Sequence, residues 1–189
     1  MSILEIWTEH DWVVKTLIIA FSIVILMSLE KVYHYILYYK HNKQLDELTS
    51  LNELENLDDG MVKKTLQDIK DYPHDSSSFL NSYIGVKLDL YEQYMMKYVS
   101  IIGVIAVLSP MLGLIGTFIG VWHVFEGVAD ISLSDPSIIA GGIKEVIVDT
   151  MSGLIVAVGS MILYKTFEYI SMKNVSKFEE KLYKLVKDA

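Results

Sequence analysis

The sequence predicts an all-α membrane protein: three transmembrane helices with long helical extensions outside the bilayer. Three observations lead there. Hydrophobic residues make up 52% of the 189 residues and charged residues 21%, so apolar spans must alternate with polar stretches. Three apolar runs are long enough to cross hydrocarbon, which takes about 20 residues as a helix. The 16 basic residues, all lysine, are also unevenly placed: eight lie between residues 30 and 97 and six from Lys165 onward, with none in 1–11 or 126–137.

Residues 1–11 read as an N-terminal tail. Glu5, Glu9 and Asp11 with no lysine are the reverse of a basic signal-peptide start, so the first apolar run is expected to stay in the protein. That run begins at Trp12, and its helical pattern extends to Tyr39 (residues 12–39). Lys15 can snorkel outward, and Trp7, Trp12, Tyr33, Tyr35, Tyr38 and Tyr39 flank the run as interfacial aromatics.

Residues 40–97 are polar and helical in pattern. Leu45, Leu48, Leu51, Leu54 and Leu57 recur every third residue, a spacing that drifts around an α-helix and suits a short helix with a broad apolar face. Asp58-Asp59-Gly60 ends it. Met61 to Asp71 reads as a second short helix with Val62, Leu66 and Ile69 on one side, stopped by Tyr72-Pro73. From Ser78 a helical period runs without a breaker into the second span, residues 98–125, and predicts one helix as far as Gly127. Pro110 should kink it. Gly113, Gly116 and Gly120 then offer a small-residue face for close helix packing.

A polar link follows at 126–137, where Asp135-Pro136 reads as N-cap and first helical residue. The third span occupies 138–166, with Gly153, Ala157 and Ser160 on a small-residue face, and an amphipathic helix fills 167–189. By the positive-inside rule the N-terminus lies outside and the C-terminus is cytoplasmic.

The third span holds the chemistry. A carboxylate at mid-bilayer costs about 2.5–3.5 kcal/mol on insertion scales, so acids there face protein or a wet cavity. Glu145 and Asp149 are four apart and share a helix face, with Thr150 adjacent. They read either as part of a proton or cation path or as structural acids, one paired with Lys144. Other chemistries find little support. There is no cysteine, and no nucleophile elbow, phosphate loop or dinucleotide fingerprint appears. His34 and His41 have no third ligand nearby, and no basic patch suggests nucleic acid; no cofactor or metal is expected. Tyr91, Tyr94 and Tyr98 read as packing between helices, and His123 as an interfacial contact.

Two stretches resemble the ExbB/TolQ/MotA family of ion-channel stator subunits, most closely its ExbB/TolQ branch. Ser109-Pro110-Met111-Leu112-Gly113-Leu114-Ile115-Gly116-Thr117-Phe118-Ile119-Gly120 is similar to the family's second-span A-P-x-x-G-L-x-G-T-x-x-G. Gly142-Ile143-Lys144-Glu145-Val146-Ile147-Val148-Asp149-Thr150-Met151-Ser152-Gly153-Leu154 is similar to the third-span G-I-x-E-A-L-x-x-T-x-x-G-L.

The resemblance implies a homo-oligomeric ring in a bacterial inner membrane, pentameric in the ExbB branch, around the transmembrane helix of an ExbD/TolR-like partner. That partner's aspartate takes up and releases protons, and force passes to a TonB-like or TolA-like arm. Thr117 and Thr150 would line the pore, with Glu145 conducting or positioning protons. Three residues depart from the pattern. Asp149 replaces a small apolar residue, Lys144 precedes the glutamate, and Gly141 replaces a frequent proline. Asp149 reads as an extra pore acid or as a residue pointing between subunits toward a lysine. A motor subunit energising outer-membrane import is the expected function. Envelope maintenance of the TolQ kind, or a non-conducting membrane scaffold, is the alternative.

Overall fold

The computed structural model describes residues 12–48, 54, 57–71, 77–130 and 136–187. The described residues form five helices: α1 Trp12–Glu47, α2 Met61–Lys70, α3 Ser77–Met96, α4 Val99–Asp130 and α5 Pro136–Lys187. The fold is all-α, and α1, α4 and α5 contain segments long and apolar enough to cross a membrane. The N-terminal tail, residues 131–135 of the link before α5, and Leu51 lie outside the described residues.

The chain divides into two compact units. One contains residues up to Ser28 together with Ser100–Lys165, the apolar parts of α1, α4 and α5. Val13, Leu17 and Val156 are buried there, with Phe21, Ile105, Leu112 and Ile119 packed on them. Apolar residues facing the other way are exposed, Leu26, Phe118 and Ile162 among them.

The other unit contains Leu29–Val99 and Thr166–Ala189. Its core joins Leu45, Leu48, Leu54 and Leu57 to Val62, Leu66 and Ile69 of α2, Ile84, Leu88, Tyr91 and Met95 of α3, and Phe178, Leu182 and Leu185 of α5. Leu57 N–H bonds the Leu54 carbonyl, three residues back, and Leu45, Leu48, Leu54 and Leu57 all reach one core. Tyr91 and Phe178 are fully buried with ring centroids 4.4 Å apart, and the Tyr91 hydroxyl hydrogen-bonds that of Tyr38. Burial, and then the neighbouring Tyr38, pushes the Tyr91 phenol well above its ordinary pKa.

The structure corrects one expectation. The helix read as continuous from Ser78 to Gly127 is interrupted at Lys97 and Tyr98, where Tyr98 takes a left-handed φ of 68°. The break is made by distant groups. The Lys31 ammonium donates to the carbonyls of Met95 (2.5 Å) and Lys97 (3.2 Å), and the Ser171 hydroxyl also donates to Met95 O (3.0 Å). These donors satisfy the carbonyl end of α3, so the helix can stop without glycine or proline. By contrast, α4 runs on through Pro110.

Candidate functional site

In the first unit α4 and α5 run antiparallel at very close approach. A Cβ built on Gly153 would stand 2.7 Å from the Ser109 carbonyl and 3.0 Å from the Gly113 Cα. One on Gly113 would stand 3.0 Å from the Asp149 carbonyl and 3.4 Å from the Thr150 Cα. At Gly120 the neighbour is the Val146 side chain, 2.8 Å away. Moving up one helix therefore moves down the other. Contacts this tight leave room for hydrogen alone, which is why the face is glycine.

Pro110 sits at the same seam. It has no N–H for the Ala106 carbonyl. The Ser109 hydroxyl, one residue earlier, bonds back to the Ile105 carbonyl at 2.6 Å, and the Ser109 carbonyl faces Gly153.

This register brings Thr117, Asp149 and Thr150 to one level of the helix pair, with Glu145 one helical turn away beside Val146, which faces Gly120. Asp149 is fully buried, and its carboxyl fills the space that a side chain at residue 116 would take: a Cβ on Gly116 would lie 2.3 Å from Asp149 Oδ2. The sequence left two places open for Asp149, the pore or the gap between subunits. Within one chain the carboxyl lies in the seam between α4 and α5, against Gly116. Thr117 follows Gly116 directly and Thr150 follows Asp149, both half-buried. Glu145, half-buried, precedes the Val146 that touches Gly120; Lys144 beside it is exposed.

The hydroxyl geometry has a chemical consequence. Thr117 donates to the Leu114 carbonyl (2.6 Å) and Thr150 to the Val146 carbonyl (3.2 Å). With its proton spent on its own helix, each threonine oxygen presents lone pairs to an incoming donor, such as a protonated carboxyl or a water. Two acids one helical turn apart and two acceptor hydroxyls in an apolar helix pair are groups that can take up and release a proton.

Sequence reading found Thr117, Glu145, Asp149 and Thr150 as residues. It missed the socket that Gly116 makes for Asp149, although the register was foreshadowed by small residues on both helices. It also missed the Lys31 cap, for which the only sequence signal is a lysine inside the aromatic end of the first helix. His34 packs edge-on against Tyr94, with ring centroids 5.8 Å apart.

A model of the MotA/TolQ/ExbB proton channel family matches residues 53–180. Curated relatives agree. The chain is 31% identical to the biopolymer transport protein ExbB of Salmonella typhimurium over 75 residues, 40% of this chain and 31% of that protein. It is 33% identical over 79 residues to a biopolymer transport protein of the ExbB type from Vibrio cholerae, 41% of this chain and 35% of the other. It is 28% identical over 103 residues to an ExbB-like biopolymer transport protein of Synechocystis, 53% of this chain and 47% of the other. The matched stretches thus span less than half the length of these relatives.

Proposed function

This chain belongs to the MotA/TolQ/ExbB proton channel family, and we propose that it is the ExbB-like proton-conducting motor subunit of a bacterial inner membrane. Copies of the chain assemble into a ring, a pentamer by likeness to the ExbB branch. The ring encloses the transmembrane helix of an ExbD/TolR-like subunit. Its N-terminus is periplasmic, and residues 40–97 and 167–189 lie in the cytoplasm. Proton flow through the ring moves the partner, and a TonB-like arm carries that movement to outer-membrane transport.

What supports this reading is the glycine seam of α4 and α5, in which Thr117 and Thr150 share a level with Asp149 and Glu145 lies one turn away. An acid in hydrocarbon is kept where it serves a pathway. The threonine oxygens, with their own protons engaged on the helix, accept from a protonated carboxyl on a guest helix. Pro110, Gly113, Gly116, Gly120 and Gly153 hold the helices close enough for this.

Energised uptake in cells tests the reading. Glu145→Ala and Thr150→Val should each abolish uptake while the complex assembles normally. Uptake that survives both substitutions would leave the chain a scaffold. Restoration of envelope integrity, rather than import, by the wild-type chain would assign it the TolQ-like task.

A further inference from the structure

The second unit contains a cavity of about 260 Å³ that the proton pathway does not use. It holds about nine waters at ~30 Å³ each, the size of a small polar group rather than of an acyl chain. Its polar wall is formed by Lys31, His34 and Tyr35 from α1 and by Tyr94, Lys97 and Tyr98 from the end of α3, above a floor that includes Leu37 and Val62. These residues stand at the ends of two candidate spans, Trp12–Tyr38 and the one that starts at Val99. The cavity therefore lies at the depth where apolar helix gives way to polar chain.

The charges select the kind of occupant. Lys31 is buried, 6% exposed, with its ammonium 2.5 Å and 3.2 Å from two carbonyls, and it lies 5.4 Å from the centre of the Tyr35 ring. Lys97 is exposed and stacks over Tyr98 at 4.7 Å, and its hydrogen bond to that tyrosine raises its pKa and holds it charged. Two carboxylates also line the wall, Glu30 and Asp59. Asp59 bonds Lys63 at 3.0 Å, and Glu30 acts on both Lys31 and Lys97. The lining charges balance, two lysines against two carboxylates. With Asp59 engaged by Lys63 from outside the lining, Lys31 and Lys97 face the one remaining glutamate, an excess of one positive charge once Lys63 is counted. Tyrosine hydroxyls add neutral donors.

We propose that this cavity binds a singly charged phosphate group, supplied by the headgroup of an anionic phospholipid at the bilayer edge. Lys97 and the tyrosine hydroxyls bond the phosphate oxygens, while the buried Lys31 supplies charge without moving from the end of α3. The bound lipid holds α1 to the α3 terminus, at the place where the chain passes from the second unit into its second span.

Native mass spectrometry of the delipidated, detergent-purified complex tests this with three probes: phosphatidylglycerol, phosphatidylcholine of the same acyl chains, and inorganic phosphate. Phosphatidylglycerol should be retained about tenfold more strongly than phosphatidylcholine, and Lys97→Glu should remove that preference, as expected for one charge-assisted hydrogen bond. Lys184→Glu, on an exposed helix face of the same unit, should leave it unchanged. Displacement of the lipid by inorganic phosphate at comparable concentration would keep the phosphate site and assign it to a soluble anion. Equal retention of the two lipids, or equal losses in Lys97→Glu and Lys184→Glu, would overturn the proposal. Lys31→Met removes the cap on α3 as well, so circular dichroism must accompany it. A folded variant with undiminished preference would also overturn it.

Discussion

The two units of this chain solve helix packing in opposite ways. In the span unit the helices approach by deleting side chains: Gly113, Gly116, Gly120 and Gly153 let backbone lie on backbone. In the lysine-rich unit the helices are held apart by large groups, and Tyr91, Phe178 and a set of leucines fill the space between them. The solvent explains the difference. Lipid offers no hydrophobic gain for burying leucine, so contact and close approach do the holding. Water makes each buried aromatic ring worth several kcal/mol, so bulk is favoured.

This contrast is open to attack by substitution. The largest expected effect is in the filled core. Phe178→Ala should cost about 3–5 kcal/mol, because the void beside Tyr91 cannot close, and should appear as a large drop in thermal midpoint by circular dichroism in detergent. In the seam the danger is added volume. Gly153→Ala should cost about 1–3 kcal/mol, since its Cβ meets the Ser109 carbonyl at 2.7 Å and backbone cannot swing aside. Gly103→Ala, whose nearest neighbour is the Tyr164 side-chain ring at 3.0 Å rather than backbone, should cost less. Equal costs would mean that backbone approach does not set the seam.

A sharper version uses the socket. Gly116→Ala should disrupt α4–α5 packing and Asp149→Gly should restore it in the double variant, because the three nearest neighbours of the added Cβ belong to the Asp149 side chain. Failure of that rescue, read by assembly on a sizing column, would place the Asp149 carboxyl elsewhere. Smallest of all is Gly85→Ala. With nothing within 4 Å, it should gain about 0.5–1 kcal/mol from helix propensity alone.

Much of this was legible in the residues themselves. The α2 face of Val62, Leu66 and Ile69 follows from local period and is buried as that period predicts. The three apolar segments could be read because lipid demands long, unbroken runs. What could not be read depends on partners far away in the chain. Nothing near Tyr98 signals an end to the helix. Its stop is supplied by Lys31 and Ser171, more than 60 residues away on either side. The site was legible in part for the same reason. Thr117, Glu145, Asp149 and Thr150 announce themselves as polar groups in apolar helix. That Gly116 shelters the Asp149 carboxyl depends on the register between two helices, which neither motif contains.

Proton flux decides the central claim, that the stretch of α4 and α5 holding Thr117, Glu145, Asp149 and Thr150 conducts. The complex of this chain with its partner is reconstituted into liposomes loaded with a pH-sensitive dye, and a pH jump is imposed. The wild-type complex should dissipate the gradient, and Thr150→Val, which keeps the shape of the side chain but removes its hydroxyl, should slow dissipation by about tenfold or more with the complex intact. Undiminished flux through an intact Thr150→Val complex would contradict the account.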